Sequence, residues 1–234
     1  MPEHASLDGR LLLWAIAGAM VAATFAGTAA WFGFRSLIPS LESAVAIQIV
    51  VAVVYGTLTA SFLYAFRPVN DFPLDLKFTS VKHLGLAVLS LLGLIGAAVV
   101  IYLLLTPITG GLTESTRQLL SVATDAKRLD GQPGAAWVVA IARGCLIVPV
   151  FEELFFRGLL LGWLRKRLAN RSAIAVSAAL FALMHGYPIA LPYAFVAGLF
   201  TGWVRVRTGS TLNSIVMHVF NNVLFLFLGL SLVK

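Results

Sequence analysis

The chain has 234 residues, 59% of them hydrophobic and only 12% charged. A soluble domain is about a quarter charged, so this chain is expected to be all-α, one polytopic membrane helix bundle with little left over for a soluble domain. The net charge of +7 is small and its basic residues sit at the ends of apolar runs, which excludes a nucleic-acid partner and implies a lipid bilayer.

Taken in order, the apolar runs predict about seven transmembrane helices. Residues 11–34 form the first. It is longer than a signal-peptide core and lacks a cleavage site, so it reads as a retained span. Residues 44–66 and 83–105 form the second and third, closed by Arg67-Pro68 and by Pro107 with Gly110-Gly111. Residues 112–134 are polar, and Ser115 with Gln118 forms a capping box ahead of a weak apolar stripe. They predict a short amphipathic surface helix. The remaining spans are expected at 135–162, 172–187, 191–204 and 212–233, the sixth being the shortest. The lone Cys145 reads as a packing residue and excludes an internal disulfide. No repeat or linker divides the chain. Residues 1–234 are therefore expected to be one membrane domain, with variable spans and the surface helix in 1–134 and a catalytic core in 135–234.

Lysine and arginine counts orient the bundle. Seven spans with the Arg165–Arg171 cluster inside also place Arg10, Arg67, Lys77, Lys82, Arg205 and Arg207 inside. Arg35, Arg117, Lys127, Arg128 and Lys234 then fall outside. The expectation is a plasma-membrane protein of bacterial type with a cytoplasmic N-terminus and an outside C-terminus.

One stretch does not fit a purely structural span. Phe151-Glu152-Glu153-Leu154-Phe155-Phe156-Arg157 puts two carboxylates and a guanidinium inside an apolar run, where charge is costly and commonly functional. A helix rises about 1.5 Å per residue, so Glu152 lies about 20 Å from the basic edge at Arg165. By the same measure His185 lies about 21 Å beyond Arg171, and His218 and Asn222 about 16 and 22 Å beyond Arg207. Three helices thus carry their polar groups to one level, where they should face one another. Glu153 and Arg157, four apart, share a face and can pair, leaving Glu152 about 100° round the helix to point elsewhere into the bundle. His218 with Asn222, and Phe181 with His185, repeat the spacing of four. Gly158 with Gly162, and Gly198 with Gly202, read as close-packing pairs.

Such a set suits hydrolysis of an amide without a covalent intermediate. Glu152 and His185 can hold and deprotonate a water, and His218 and Asn222 can donate to the developing oxyanion. Zinc is the rival reading, with His185, His218 and Glu152 as ligands, though no HExxH is present and no cofactor is favoured. A proton-coupled transporter would use the same acids as a relay, but there is no repeat or pair of broken helices.

The motifs Glu152-Glu153-x-x-x-Arg157, Phe181-x-x-x-His185 and His218-x-x-x-Asn222, in that order, resemble those of the CAAX protease and bacteriocin-processing family, also called Abi. Gly202 to Ser210 resembles the segment before its last motif. The resemblance covers roughly residues 140–225. It implies an integral-membrane glutamate-type endopeptidase acting on a peptide or membrane-protein substrate. Glu152 would be the base with His185, His218 and Asn222 the oxyanion site, and Glu153, Arg157 and Phe181 the support. Some members of the family act instead as membrane scaffolds or immunity proteins.

Overall fold

Apolar runs that cannot bond to water must close their backbone hydrogen bonds within the segment, and here they do so as helices. The computed structural model describes residues 18, 25–33, 36–37, 43–66, 74–77, 79–105, 107, 138, 141–185 and 190–232, and among them there is no strand. The elements are α1 (Ser43–Phe66), α2 (Val81–Leu105), a π-helical stretch π1 (Ala142–Ile147), α3 (Val148–Glu153), a second π-helical stretch π2 (Leu154–Leu160), α4 (Leu161–Arg165), α5 (Asn170–Met184), α6 (Leu191–Thr208) and α7 (Thr211–Leu232). Of the expected first span, residues 25–33 are helical. The expected surface helix at 112–134 lies outside the described residues.

The chain packs as two units, one of Met1–Pro73 and Arg128–Phe151, the other of Leu74–Lys127 and Glu152–Lys234. In the first, Tyr55 of α1 meets Phe151 edge to face at 5.4 Å between ring centres. The expected fourth span contains the two π-helical stretches, which periodicity alone did not reveal. For π1 a local cause is at hand. Pro149 cannot donate an N–H and its ring crowds the carbonyl four residues back. The turn just before it is widened, with the Val148 N–H bonded to the Arg143 carbonyl five residues back. Cys145 is buried in this stretch, as a packing residue would be.

The second unit holds every sequence-predicted site residue. Among the described residues its core includes three patches. Ala87, Leu94, Ala197, Val204 and Met217 join α2, α6 and α7. Phe156, Phe181, Ala182 and Ala194 join π2, α5 and α6. Leu161, Leu164, Ala173 and Ile174 join α4 and α5. The seam between α5 and α6 is set by glycine: a Cβ on Gly198 would lie 2.9 Å from Ala178 Cα, and one on Gly202 would lie 3.1 Å from Ile174 Cγ2. Gly198→Ala is expected to destabilise the protein by about 1–3 kcal/mol, since the Ala178 backbone cannot yield. An unfolding midpoint in detergent equal to that of the parent would refute this close packing.

Helix ends explain where the expected spans shift. Ser80 caps α2, accepting from the His83 N–H through its side chain at 3.3 Å and its carbonyl at 3.1 Å. Helix α6 begins with proline in its first turn and runs past the expected end at 204 to Thr208. Arg205 does not leave the helix for water: its guanidinium pairs with Asp75 at 2.6 Å while largely buried. Gly209, at φ +65°, then closes the helix in the left-handed region, its N–H on the Arg205 carbonyl at 3.0 Å.

Segment 74–80 is stitched to the turn between α6 and α7. The Thr211 N–H and the Ser210 hydroxyl donate to the Asp75 carbonyl at 3.1 and 3.2 Å. The same hydroxyl lies 2.6 Å from the Lys77 carbonyl, and Asn213 donates to Thr79 at 3.1 Å. His83 is half-buried and bonds Thr79 at 2.7 Å.

Among the described residues one stretch, Val81–Leu104, is long and apolar enough to cross a bilayer, by length and composition. Ile49–Ser61, Asn170–Met184 and Thr211–Phe227 are shorter apolar helices. The described residues therefore supply one helix meeting that measure where seven spans were expected. Helix α5 is short, at 15 residues, and α6 carries Arg205 and Arg207 in its last turn.

Candidate active site

The site is built from the end of α3 outward. Glu153 is fully buried, and its Oε1 accepts from His218 Nδ1 at 2.9 Å. The same oxygen lies 3.1 Å from Arg157 Nη1, an ionic contact without hydrogen-bond alignment. Arg157 is itself held twice more. Its Nη2 donates to the Gly198 carbonyl at 3.3 Å, and its guanidinium carbon lies 4.4 Å from the centre of the Phe181 ring. The close approach that Gly198 permits is therefore also what brings a carbonyl to Arg157.

Glu152 and Glu153 do not separate as ideal helical geometry suggests. Glu152 Oε2 lies 3.8 Å from His218 Nε2, so the two adjacent carboxylates straddle one imidazole, each on a different nitrogen. The expectation that Glu152 points away from the Glu153 partners is corrected. Long side chains leaving a helix at 100° can still converge on a ring that lies between them. Immediately after Glu153 the chain becomes π-helical, and such stretches recur at functional sites. The Phe156 carbonyl, in that stretch, accepts from the Leu161 N–H and from Ser177 of α5 at 3.1 Å.

Helix α5 supplies Phe181 and His185. Phe181 is the hub: its ring meets Phe156 at 5.2 Å, His185 at 4.7 Å and His218 at 5.9 Å, all edge to face. His185 caps the helix end, its Nδ1 2.9 Å from the Phe181 carbonyl. A carbonyl only accepts, so Nδ1 carries the proton and Nε2 the lone pair. By the same logic Glu153 fixes the proton of His218 on Nδ1 and leaves Nε2 facing Glu152. Both histidines act electrostatically on the Glu152 carboxyl.

Helix α7 supplies His218, Asn221 and Asn222. The structure brings Glu152, Glu153, Arg157, Phe181, His185 and His218 together. Asn222 is half-buried and joins through its neighbour, its Oδ1 accepting from Asn221 Nδ2 at 3.3 Å. Asn221 was missed, although a doublet of asparagines in an apolar run was a visible signal. A cavity of about 10 Å³, room for roughly one water, is lined by Glu153, Phe181, Thr201, His218 and Asn221 among others. Among the described residues no three His, Cys, Asp or Glu form a group that could hold a metal ion. The set His185, His218 and Glu152 is not among such groups.

Carboxylates, histidines and amides meeting on neighbouring helices define the class, a helical protein built round an internal polar site. Residues 134–224 match the family model described as Rce1-like, type II CAAX prenyl endopeptidase Rce1-like. All three motifs lie inside that segment, which is less than half of the chain, and over it the chain is similar to this family of CAAX-type endopeptidases. No curated protein and no solved structure matches the chain.

Proposed function

We propose that the protein is an intramembrane endopeptidase that cuts a peptide or membrane-protein substrate with a water activated by Glu152 and His185. The observation that carries this reading is the shared imidazole: the half-buried Glu152 and the buried Glu153 address opposite nitrogens of His218, with His185 in electrostatic range of the first. Glu153, neutralised by Arg157, acts on the proton-bearing side of the ring, and Glu152 faces the other. Glu152 then takes the proton of the attacking water, helped by the lone pair of His185 Nε2. Glu152 hands that proton to the free Nε2 of His218, and the resulting N–H, with the Asn222 amide, holds the oxyanion that forms on the scissile carbonyl. The basic loops give the topology: N-terminus in the cytoplasm, C-terminus outside, in a plasma membrane of bacterial type.

The test is proteolysis by the purified protein in liposomes. The probes are an internally quenched farnesylated peptide ending in a CAAX box and a degenerate library of unlipidated peptides of the same length, with the cut bond read by mass spectrometry. Cleavage of either probe supports the reading, and intact probes of both kinds overturn it. In this mechanism Glu152 and His185 activate the water without a metal, so overnight dialysis against a zinc chelator is expected to leave the rate unchanged. Loss of activity restored by added zinc would replace this mechanism with a metal-dependent one.

A further inference from the structure

Tyr193, in the first turn of α6, lies outside all three motifs, yet its hydroxyl donates to Asn221 Oδ1 at 2.8 Å. Its ring leans on Phe225 of α7 at 5.1 Å, which fixes where the hydroxyl can reach. Asn221 is buried and lines the same cavity as Glu153 and His218. With its oxygen occupied by Tyr193, its nitrogen is the edge left to donate, and it donates to Asn222 Oδ1 at 3.3 Å. The three side chains form one directed chain, from a phenol through one amide to the next.

An asparagine amide used as an oxyanion donor has a built-in hazard. Rotation by half a turn replaces its NH₂ with an oxygen, which repels the charge it should stabilise. Donors help only when they are preorganised. We propose that Tyr193 and Asn221 are positioning residues that lock the Asn222 amide with its oxygen turned back along α7 and its NH₂ edge turned toward the substrate carbonyl. This rests on the reading of Asn222 as an oxyanion donor. It adds a reason for the second asparagine and for the tyrosine at the start of α6. The phenol is the start of the chain because its hydroxyl has one proton to give and gives it to Asn221.

The experiment uses the full-length protein labelled with ¹⁵N-asparagine, which has five such residues, Asn70, Asn170, Asn213, Asn221 and Asn222. In Tyr193→Phe the side-chain amide signals of Asn221 and Asn222 are expected to move, with those of Asn170 and Asn213 unchanged. On whichever quenched peptide the parent cleaves, kcat is expected to fall about five- to tenfold with KM within twofold, the scale of one neutral hydrogen bond. Asn221→Asp, which still accepts from Tyr193 but has no amide proton for Asn222, is expected to lose more than Tyr193→Phe. An unmoved Asn222 signal, or a Tyr193→Phe effect confined to KM, overturns the proposal. A fully active Asn222→Ala would overturn the oxyanion assignment and this inference with it. An inactive Asn222→Ala beside an unaffected Tyr193→Phe would overturn this inference alone.

Discussion

Glu152→Gln is expected to lower kcat by about 10²–10⁴-fold, the range ascribed to a positioned general base. The substitution preserves shape and leaves a polar group facing His218 Nε2, which the carboxylate approaches to 3.8 Å. What it removes is the capacity to take a proton. Folding should survive, because Glu152 is not the carboxylate paired with Arg157; its side chain is 17% exposed where that of Glu153 is 0%. Size-exclusion elution and the unfolding midpoint should match the parent. The informative comparison is Glu153→Gln. That variant keeps an acceptor for His218 Nδ1 but loses the charge that steadies the ring, so a partial loss of rate is expected. If Glu152→Gln retained full activity while Glu153→Gln lost it, the roles of the two acids would have to be exchanged.

How much of this was legible in the sequence depends on what each signal measures. Depth along a helix is a linear quantity, and counting residues from Arg165, Arg171 and Arg207 placed the polar groups of three helices at one level. The structure brings Glu152, Glu153, His185 and His218 of those helices together. Spacing of four likewise foretold the contact of Glu153 with Arg157 and of Phe181 with His185. Rotation about the axis was not legible. Convergence of Glu152 and Glu153 on one ring depends on side-chain reach and on a partner from another helix, neither of which periodicity encodes. The π-helical stretches have no composition signal beyond Pro149. The link of Asp75 to Arg205, 130 residues apart, was invisible because each residue taken alone looks like an ordinary loop charge. Hydropathy predicted helices where the structure has them, and among the described residues one of these is long and apolar enough to span a bilayer.

Arg157→Met is expected to be among the most destabilising single substitutions in the chain, by about 3–5 kcal/mol. The reasoning begins with what would remain. Glu153 is fully buried, one of its oxygens already lacks a hydrogen-bond partner, and Arg157 supplies the cation beside the other. Without the guanidinium that carboxylate has only His218, and a buried uncompensated charge is penalised far more than the pair is rewarded. The loss should be read as a lower unfolding midpoint in detergent or a lower yield of folded protein. A severe defect alone would be ambiguous, since any damaged core lowers yield. The double variant Glu153→Leu, Arg157→Met resolves it by removing both charges and filling the space with apolar atoms. Its stability is expected to return close to that of the parent, because a well-packed apolar replacement of a buried pair is commonly neutral or better. Its activity is not expected to return. His218 would have lost the carboxylate that holds its proton on Nδ1, and the ring would be free to present the wrong nitrogen to Glu152. Recovery of both stability and activity would mean that the pair serves the fold alone. Failure to recover stability would mean that Arg157 matters through Gly198 and Phe181 rather than through Glu153.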